Sequence, residues 1–115
     1  MRIAVLLLML VGFQQPAPKV DGEWAVTLAL PLGDTWFNMF LVQKGNALSG
    51  YMLNEYGQFD LKGSINRDQV QFEWDFPDRA RIVRIRFNGK IDRNTITGVA
   101  TVGDAGEGTL TAQRK

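Results

Sequence analysis

The 115-residue chain sets 13 Lys and Arg against 12 Asp and Glu, a formal charge of +1, so no overall field draws it to a polyanion. Its 45% apolar content is enough for one modest core and leaves no room for a second domain. Cys and His are both absent, which excludes a disulfide framework, thiolate chemistry, Cys- or His-ligated zinc and every Ser/His or Cys/His catalytic arrangement.

The first residues read as an export signal. Met1-Arg2 is a short basic start, IAVLLLMLVGF over 3–13 is an apolar run, and Gln14-Gln15-Pro16-Ala17 is a polar exit. The run is shorter than the roughly 20 apolar residues that span a bilayer. The expectation is a signal peptide over 1–17 followed by a single domain over 18–115, secreted or periplasmic, with no membrane span.

From residue 20 onward the pattern is alternation, with no helical periodicity. Eight strands are predicted: 22–30, 35–43, 47–54, 58–65, 69–76, 81–91, 94–102 and 107–114. The connections between them are too short for parallel crossovers, which need a dozen residues or more, so the chain must meander through antiparallel hairpins. A faint repeat supports one hairpin design used twice, since 61–70 (LKGSINRDQV) resembles 87–96 (FNGKIDRNTI). Closing the meander removes exposed strand edges. The predicted fold is therefore an all-β, eight-stranded up-and-down barrel, with a two-sheet β-sandwich as the alternative.

Alternation assigns the inward face to Trp24, Val26, Leu28 and Leu30; Trp36, Asn38, Phe40 and Val42; Leu48 and Met52; Leu61 and Ile65; Val70, Phe72, Trp74 and Phe76; Val83, Ile85 and Phe87; Ile96, Ala100 and Val102; and Leu110 and Ala112. Gly50, Gly63, Gly89, Gly98 and Gly108 share that phase, where they either bend coiled strands or leave a cavity beside the aromatics. Strand 35–43 (TWFNMFLVQ) is apolar on both faces. In the inward phase just given, Phe37, Met39 and Leu41 face out beside Tyr51 and Leu53, an apolar strip of the kind that marks an interface; the opposite phase would bury it.

The segment 73–87 (EWDFPDRARIVRIRF) combines arginines, carboxylates and aromatics. Folded about Asp78-Arg79, it sets Trp74 opposite Val83, Phe72 opposite Ile85 and Glu73 opposite Arg84, so that acids and arginines form an outer ladder. Stacking on single-stranded nucleic acid needs exposed aromatics among unpaired cations; here the aromatics point inward and the acids neutralise the arginines. Glu73 and Asp75 share a face roughly 6 to 7 Å apart, the arrangement of some hydrolytic carboxylate pairs, but facing arginines hold both ionised. Arg79 and Arg81, nearer the turn, have fewer partners and could meet an acidic surface.

Gly22-Glu23-Trp24 at the start of the first strand, with Arg114 at the end of the last, resembles the calycin signature of lipocalins, fatty-acid-binding proteins and the avidin family. The resemblance implies a barrel in which Trp24 plugs one end and Arg114 packs across it by a cation–π contact. It carries over no ligand, because no biotin-contacting pattern is matched and the barrel is shorter than most members. The calycin-like bacterial metalloprotease inhibitors are closer in size, but they usually hold a disulfide.

The function expected is therefore a secreted, non-enzymatic binding protein without cofactor or metal. It contacts a partner protein or a second copy through Phe37, Met39, Leu41, Tyr51 and Leu53. The alternative is a carrier of a small apolar ligand inside the barrel, among Trp24, Trp36, Asn38, Met52, Phe72, Trp74 and Phe87. A protease-inhibitor-like barrel and a hydrolase using Glu73 and Asp75 rank lower.

Overall fold

The computed structural model describes residues 18–31, 33–78, 81–104 and 106–115. The predicted leader over 1–17 and Arg79 lie outside them. The described chain forms eight strands: β1 (Gly22–Leu30), β2 (Gly33–Lys44), β3 (Ala47–Asn54), β4 (Gly57–Asn66), β5 (Gln69–Asp78), β6 (Arg81–Asp92), β7 (Thr95–Val102) and β8 (Glu107–Arg114). Each pairs antiparallel with the next, and β8 returns to β1 with Trp24 opposite Arg114 and Leu28 opposite Leu110. The sheet is a closed eight-stranded meander barrel. Closure leaves no row of unpaired backbone groups to template another chain, which a sandwich would have exposed.

The repeat seen in the sequence is a repeated turn. Arg67 and Arg93 occupy equivalent places in two-residue hairpins, at φ 59° and 58°. After the first turn Ile65 pairs with Val70, and after the second Ile91 pairs with Ile96. The inward glycines make bends rather than space. A Cβ on Gly63 would run into the backbone at Gln71 and Phe72, and one on Gly98 into the backbone of Asn88 and Gly89. Neighbouring strands come too close there for any side chain, which is how the wall curves tightly enough to close.

Two registers differ from expectation, with different consequences. The β5–β6 hairpin closes with Asp78 opposite Arg81, so Trp74 faces Ile85, Phe72 faces Phe87 and Glu73 faces Arg86. That is a slip of two residues, which changes partners and preserves faces.

The β2–β3 hairpin differs by one, and one residue reverses every side chain. Lys44 pairs with Ala47 across a two-residue turn whose first residue, Gly45, sits at φ 61°. Met39 therefore lies opposite Met52, and Phe40 opposite Tyr51. Phe37, Met39 and Leu41, expected on an outer strip, are in the core. Trp36 and Val42, expected inside, are exposed, with Trp36 at 65% of its full area, and Asn38 and Phe40 are half-buried on the outer face. The core follows from this phase: Trp24, Val26 and Leu28 from β1 meet Phe37, Met39 and Leu41 from β2, and Phe72 and Trp74 from β5 meet Ile85 and Phe87 from β6.

Candidate functional site

The two ends of the barrel are built differently. At one end the turns after β2, β4 and β6 gather with the start of β1 and the end of β8, and Trp24 is fully buried there. Its indole Nε1 donates to the carbonyl of Val20 at 3.0 Å, and the Arg114 guanidinium lies over the ring, 4.4 Å from the centroid. The same guanidinium donates to the carbonyls of Asp21 (2.7 Å) and Lys19 (2.8 Å) and to Asn94 Oδ1 (3.0 Å). Gln43 completes the closure from β2: its Oε1 accepts from Val20 N, and its own backbone N–H donates to Asp21 Oδ2. One planar cation thus ties the entering strand to the last one and to the β6–β7 turn. Its fork of donors suits it to three acceptors at once.

The other end is bordered by the hairpins that follow β1, β3, β5 and β7, and its packing is aromatic. Phe37 meets Trp74 edge-on with centroids 5.7 Å apart and meets Phe76 at 6.1 Å. Phe76 is supported in turn by Phe59 at 5.1 Å and by the exposed Tyr56 at 6.2 Å. Deeper in, Phe72 packs at a tilt against Phe87 with centroids 4.8 Å apart and lies 6.0 Å from Trp74. These rings fill the middle of the barrel. Above them a cavity of about 220 Å³ remains, lined by Leu28, Leu30, Phe37, Phe76, Val83 and Ile85 with Thr35 and Val102. Its walls are almost wholly apolar, in keeping with a core whose described residues include no buried polar or charged side chain.

Trp74 breaks that uniformity. It is 2% exposed, and its indole Nε1 has no hydrogen-bond partner. A buried donor without an acceptor costs about 1 to 3 kcal/mol, so native proteins rarely keep one without a reason. Trp74 touches Phe37 and pairs across strands with Ile85, which line the cavity, but is not itself part of the cavity's lining.

Of the residues expected to line an interior site, Phe72, Trp74 and Phe87 come together in the middle of the barrel, with Met52 in the core opposite Met39. Trp24 lies at the plugged end, and Trp36 and Asn38 are outside the barrel. The cavity sits higher than those residues, around Phe37, Phe76 and Val83. Phe37 was obscured by the reversed phase of β2. One signal in the sequence favoured the true phase: an even-length link after β1 sets Leu28 and Phe37 on the same side, as an inward Leu28 requires.

The outer faces hold two further features. The apolar strip on β2 and β3 exists in the other phase, formed by Trp36, Phe40 and Val42 beside Tyr51 and Leu53, with Phe40 and Tyr51 stacked at 4.7 Å. Across β4 to β7 runs a polar groove of about 740 Å³ with Lys62, Gln71, Glu73, Arg86 and Asn88 on its walls. It is larger than the apolar cavity, and within it Glu73 and Arg86 form an ion pair. Arg86 Nε lies 3.4 Å from Glu73 Oε2, and Arg84 Nε donates to Asp75 Oδ1 at 2.9 Å, with Glu73 4.0 Å from the same arginine. The hydrogen bond from Arg84 holds the Asp75 carboxyl below its ordinary 3.8, against an opposing effect of desolvation. Such a group stays ionised and makes a poor general acid.

Among the described residues no helix is long and apolar enough to cross a membrane. Comparison with known protein families gives no matching family model, and the search of curated proteins gives no match.

Proposed function

We propose that this chain is an exported, non-enzymatic binding protein of calycin-like type that takes a small apolar ligand into the hairpin end of its barrel. The observation that carries the reading is the asymmetry of the ends. One is sealed by Trp24 and Arg114, while the other keeps an apolar cavity of about 220 Å³ between Phe37, Phe76, Val83 and Ile85. Ligand sites are concave, mostly apolar and largely pre-formed, and those for drug-sized molecules occupy about 300 to 1,000 Å³. The smaller volume here fits a smaller ligand. Affinity to calycins is supported by the Gly22-Glu23-Trp24 start and by the contact of Arg114 with Trp24. Export is supported by the tripartite pattern of residues 1–17. The intact mass of protein recovered after export tests it, and should be that of a chain shortened at or near Ala17.

Equilibrium dialysis against 2-heptanone, a neutral probe with eight non-hydrogen atoms, tests the binding reading. We expect saturable one-to-one binding that Val83→Trp abolishes by filling the cavity and Trp36→Lys leaves intact. Absence of saturable binding to the wild-type protein would remove the reading.

A second reading, contact with a partner protein or a second copy, is favoured by the outer β2–β3 face. Trp36 is 65% exposed there, beside the partly exposed Val42 and Leu53. Exposed apolar area of this kind marks interaction surfaces. Sedimentation should then show an assembly that Trp36→Lys dissociates.

A further inference from the structure

We propose that a cleft on the outside of the hairpin end binds a weakly hydrated organic cation, a quaternary ammonium or a guanidinium group, against the rings of Trp36 and Tyr56 and the carboxylates of Asp34 and Glu55. The site is separate from the apolar cavity and does not depend on a ligand entering the barrel.

The cleft holds about 400 Å³ and is lined by Asp34, Thr35 and Trp36 from the start of β2 and by Asn54, Glu55 and Tyr56 from the end of β3 and the turn after it. Strand pairing opens it. β2 pairs with β3 from Asn38, opposite Leu53, to Lys44, so the residues of β2 before Asn38 have no partner on β3. The cleft lies between those residues and the β3–β4 turn.

Two observations carry the assignment. The first is where the aromatic surface is. Among the described residues the exposed aromatic side chains are Trp36, at 65%, and Tyr56, at 70%, and both line this one cleft. Their backbones are fixed. Trp36 sits on a strand, paired with Thr27 of β1. Tyr56 sits in a two-residue turn closed by Asn54 opposite Gly57, where its N–H donates to Asn54 Oδ1 at 2.8 Å, and its ring meets Phe76 edge-on at 6.2 Å.

The second is charge. Asp34 and Glu55 are exposed, and among the described residues neither has an ion pair or a side-chain hydrogen bond, whereas Glu23, Glu73 and Asp75 are all paired. The lining contains no Lys or Arg. Ring faces and carboxylates attract the same partner, a cation. An anion placed on the rings would meet two like charges. A neutral molecule would strip water from the carboxylates and return no charge to them. A compact ammonium holds its own water tightly, whereas a guanidinium is more weakly hydrated and stacks on aromatic faces, and quaternary ammonium groups are recognised by aromatic rings.

The test titrates choline, methylguanidinium and neohexyl alcohol, the uncharged isostere of choline, into the protein at low salt while the indole N–H resonances are followed in the ¹H–¹⁵N spectrum. Trp36→Ala identifies the Trp36 signal by its loss. Either cation should shift the Trp36 indole saturably and leave those of Trp24 and Trp74 in place, and the tighter of the two names the group. The alcohol should bind at least about fivefold more weakly than choline. Trp36→Ala and Tyr56→Ala, followed by the backbone signals around the cleft, should each weaken the cation by about two- to fivefold, the worth of an exposed cation–π contact. Asp34→Asn with Glu55→Gln should narrow the gap between choline and its isostere, and Glu107→Gln, an exposed carboxylate on β8, should change nothing. These side chains are exposed, and circular dichroism checks that each variant is folded. Equal binding of choline and the alcohol, or no saturable shift of Trp36 with either cation, would overturn the proposal. A shift with maltose and none with the cations would make the cleft a sugar site and overturn it equally.

Discussion

Two buried tryptophans, Trp24 and Trp74, sit in one small barrel and are treated in opposite ways. Trp24 is held by a carbonyl acceptor on its nitrogen and a guanidinium over its ring, and Trp74 is packed among Phe37 and Phe72 with its nitrogen unpaired. A structural tryptophan has its polar atom satisfied within the protein, because an orphaned donor subtracts from a net stability that is itself only about 5 to 15 kcal/mol. The ends of the barrel carry the same contrast. One is knitted by Arg114, Gln43 and Asp21, and the other holds space between apolar side chains.

The comparison breaks most visibly at the plug. Trp24→Ala should destabilise the barrel by about 3 to 5 kcal/mol, the range for removing a buried large aromatic, measured as a fall in the urea midpoint with little change in slope. Arg114→Met keeps much of the volume but removes three donated hydrogen bonds and the cation–π contact. A loss of about 2 kcal/mol is expected, since hydrogen bonds from charged groups contribute about 1.5 to 3 kcal/mol each where they are sheltered and these are partly exposed. Arg114→Lys should recover little of it, because an ammonium cannot serve three acceptors in a fork.

Phenylalanine at the two tryptophan positions sharpens the contrast. Trp24→Phe removes the bond to Val20 and lowers stability by about 1 to 3 kcal/mol, leaving a carbonyl without its donor. Trp74→Phe removes a donor that has no partner, so its loss of packing is offset, and the change should be at least about 1 kcal/mol smaller than at Trp24. Equal losses at both positions, by urea titration, would mean that the unpaired nitrogen carries no penalty in the free protein.

The smallest effect concerns the outer ladder. Asp75 has its folded pKa depressed below 3.8 by Arg84, so its contribution is fully present above that value and is lost as pH falls through the lower folded value. The difference in stability between the wild type and Asp75→Asn should be slight at pH 6, shrink below pH 3.8 and fall further in high salt, because the pair is exposed.

Most of the architecture was legible because it is written in period and spacing. Alternation marked eight strands, short links forced a meander, and the repeated Asn66-Arg67-Asp68 and Asp92-Arg93-Asn94 segments marked two like turns. The phase of β2 was not legible from its own residues. TWFNMFLVQ is apolar at nearly every position, so alternation has nothing to read, and parity is then decided by whether the β2–β3 turn has two residues or three. The choice of two at Gly45-Asn46 put Phe37, Met39 and Leu41 inside and emptied the strip expected on the surface. Of the site, the sequence shows that Phe72, Trp74 and Phe87 face inward, but not that they fill the middle of the barrel and leave space only above. That depends on ring packing and on how closely the strands approach at Gly63, Gly89 and Gly98, neither of which has a sequence period.

The central claim is that the hairpin end, rather than the plug or the outer face, receives a ligand. Methyl NMR during titration with 2-heptanone tests it most directly, because methyl groups report all three regions at once. The account predicts that shifts concentrate at Leu28, Leu30, Val83, Ile85 and Val102, with Ile65 and Ile96 below them unmoved. Shifts confined to Val42, Leu53 and Val99 on the outside of the barrel, or none at any concentration, would contradict it.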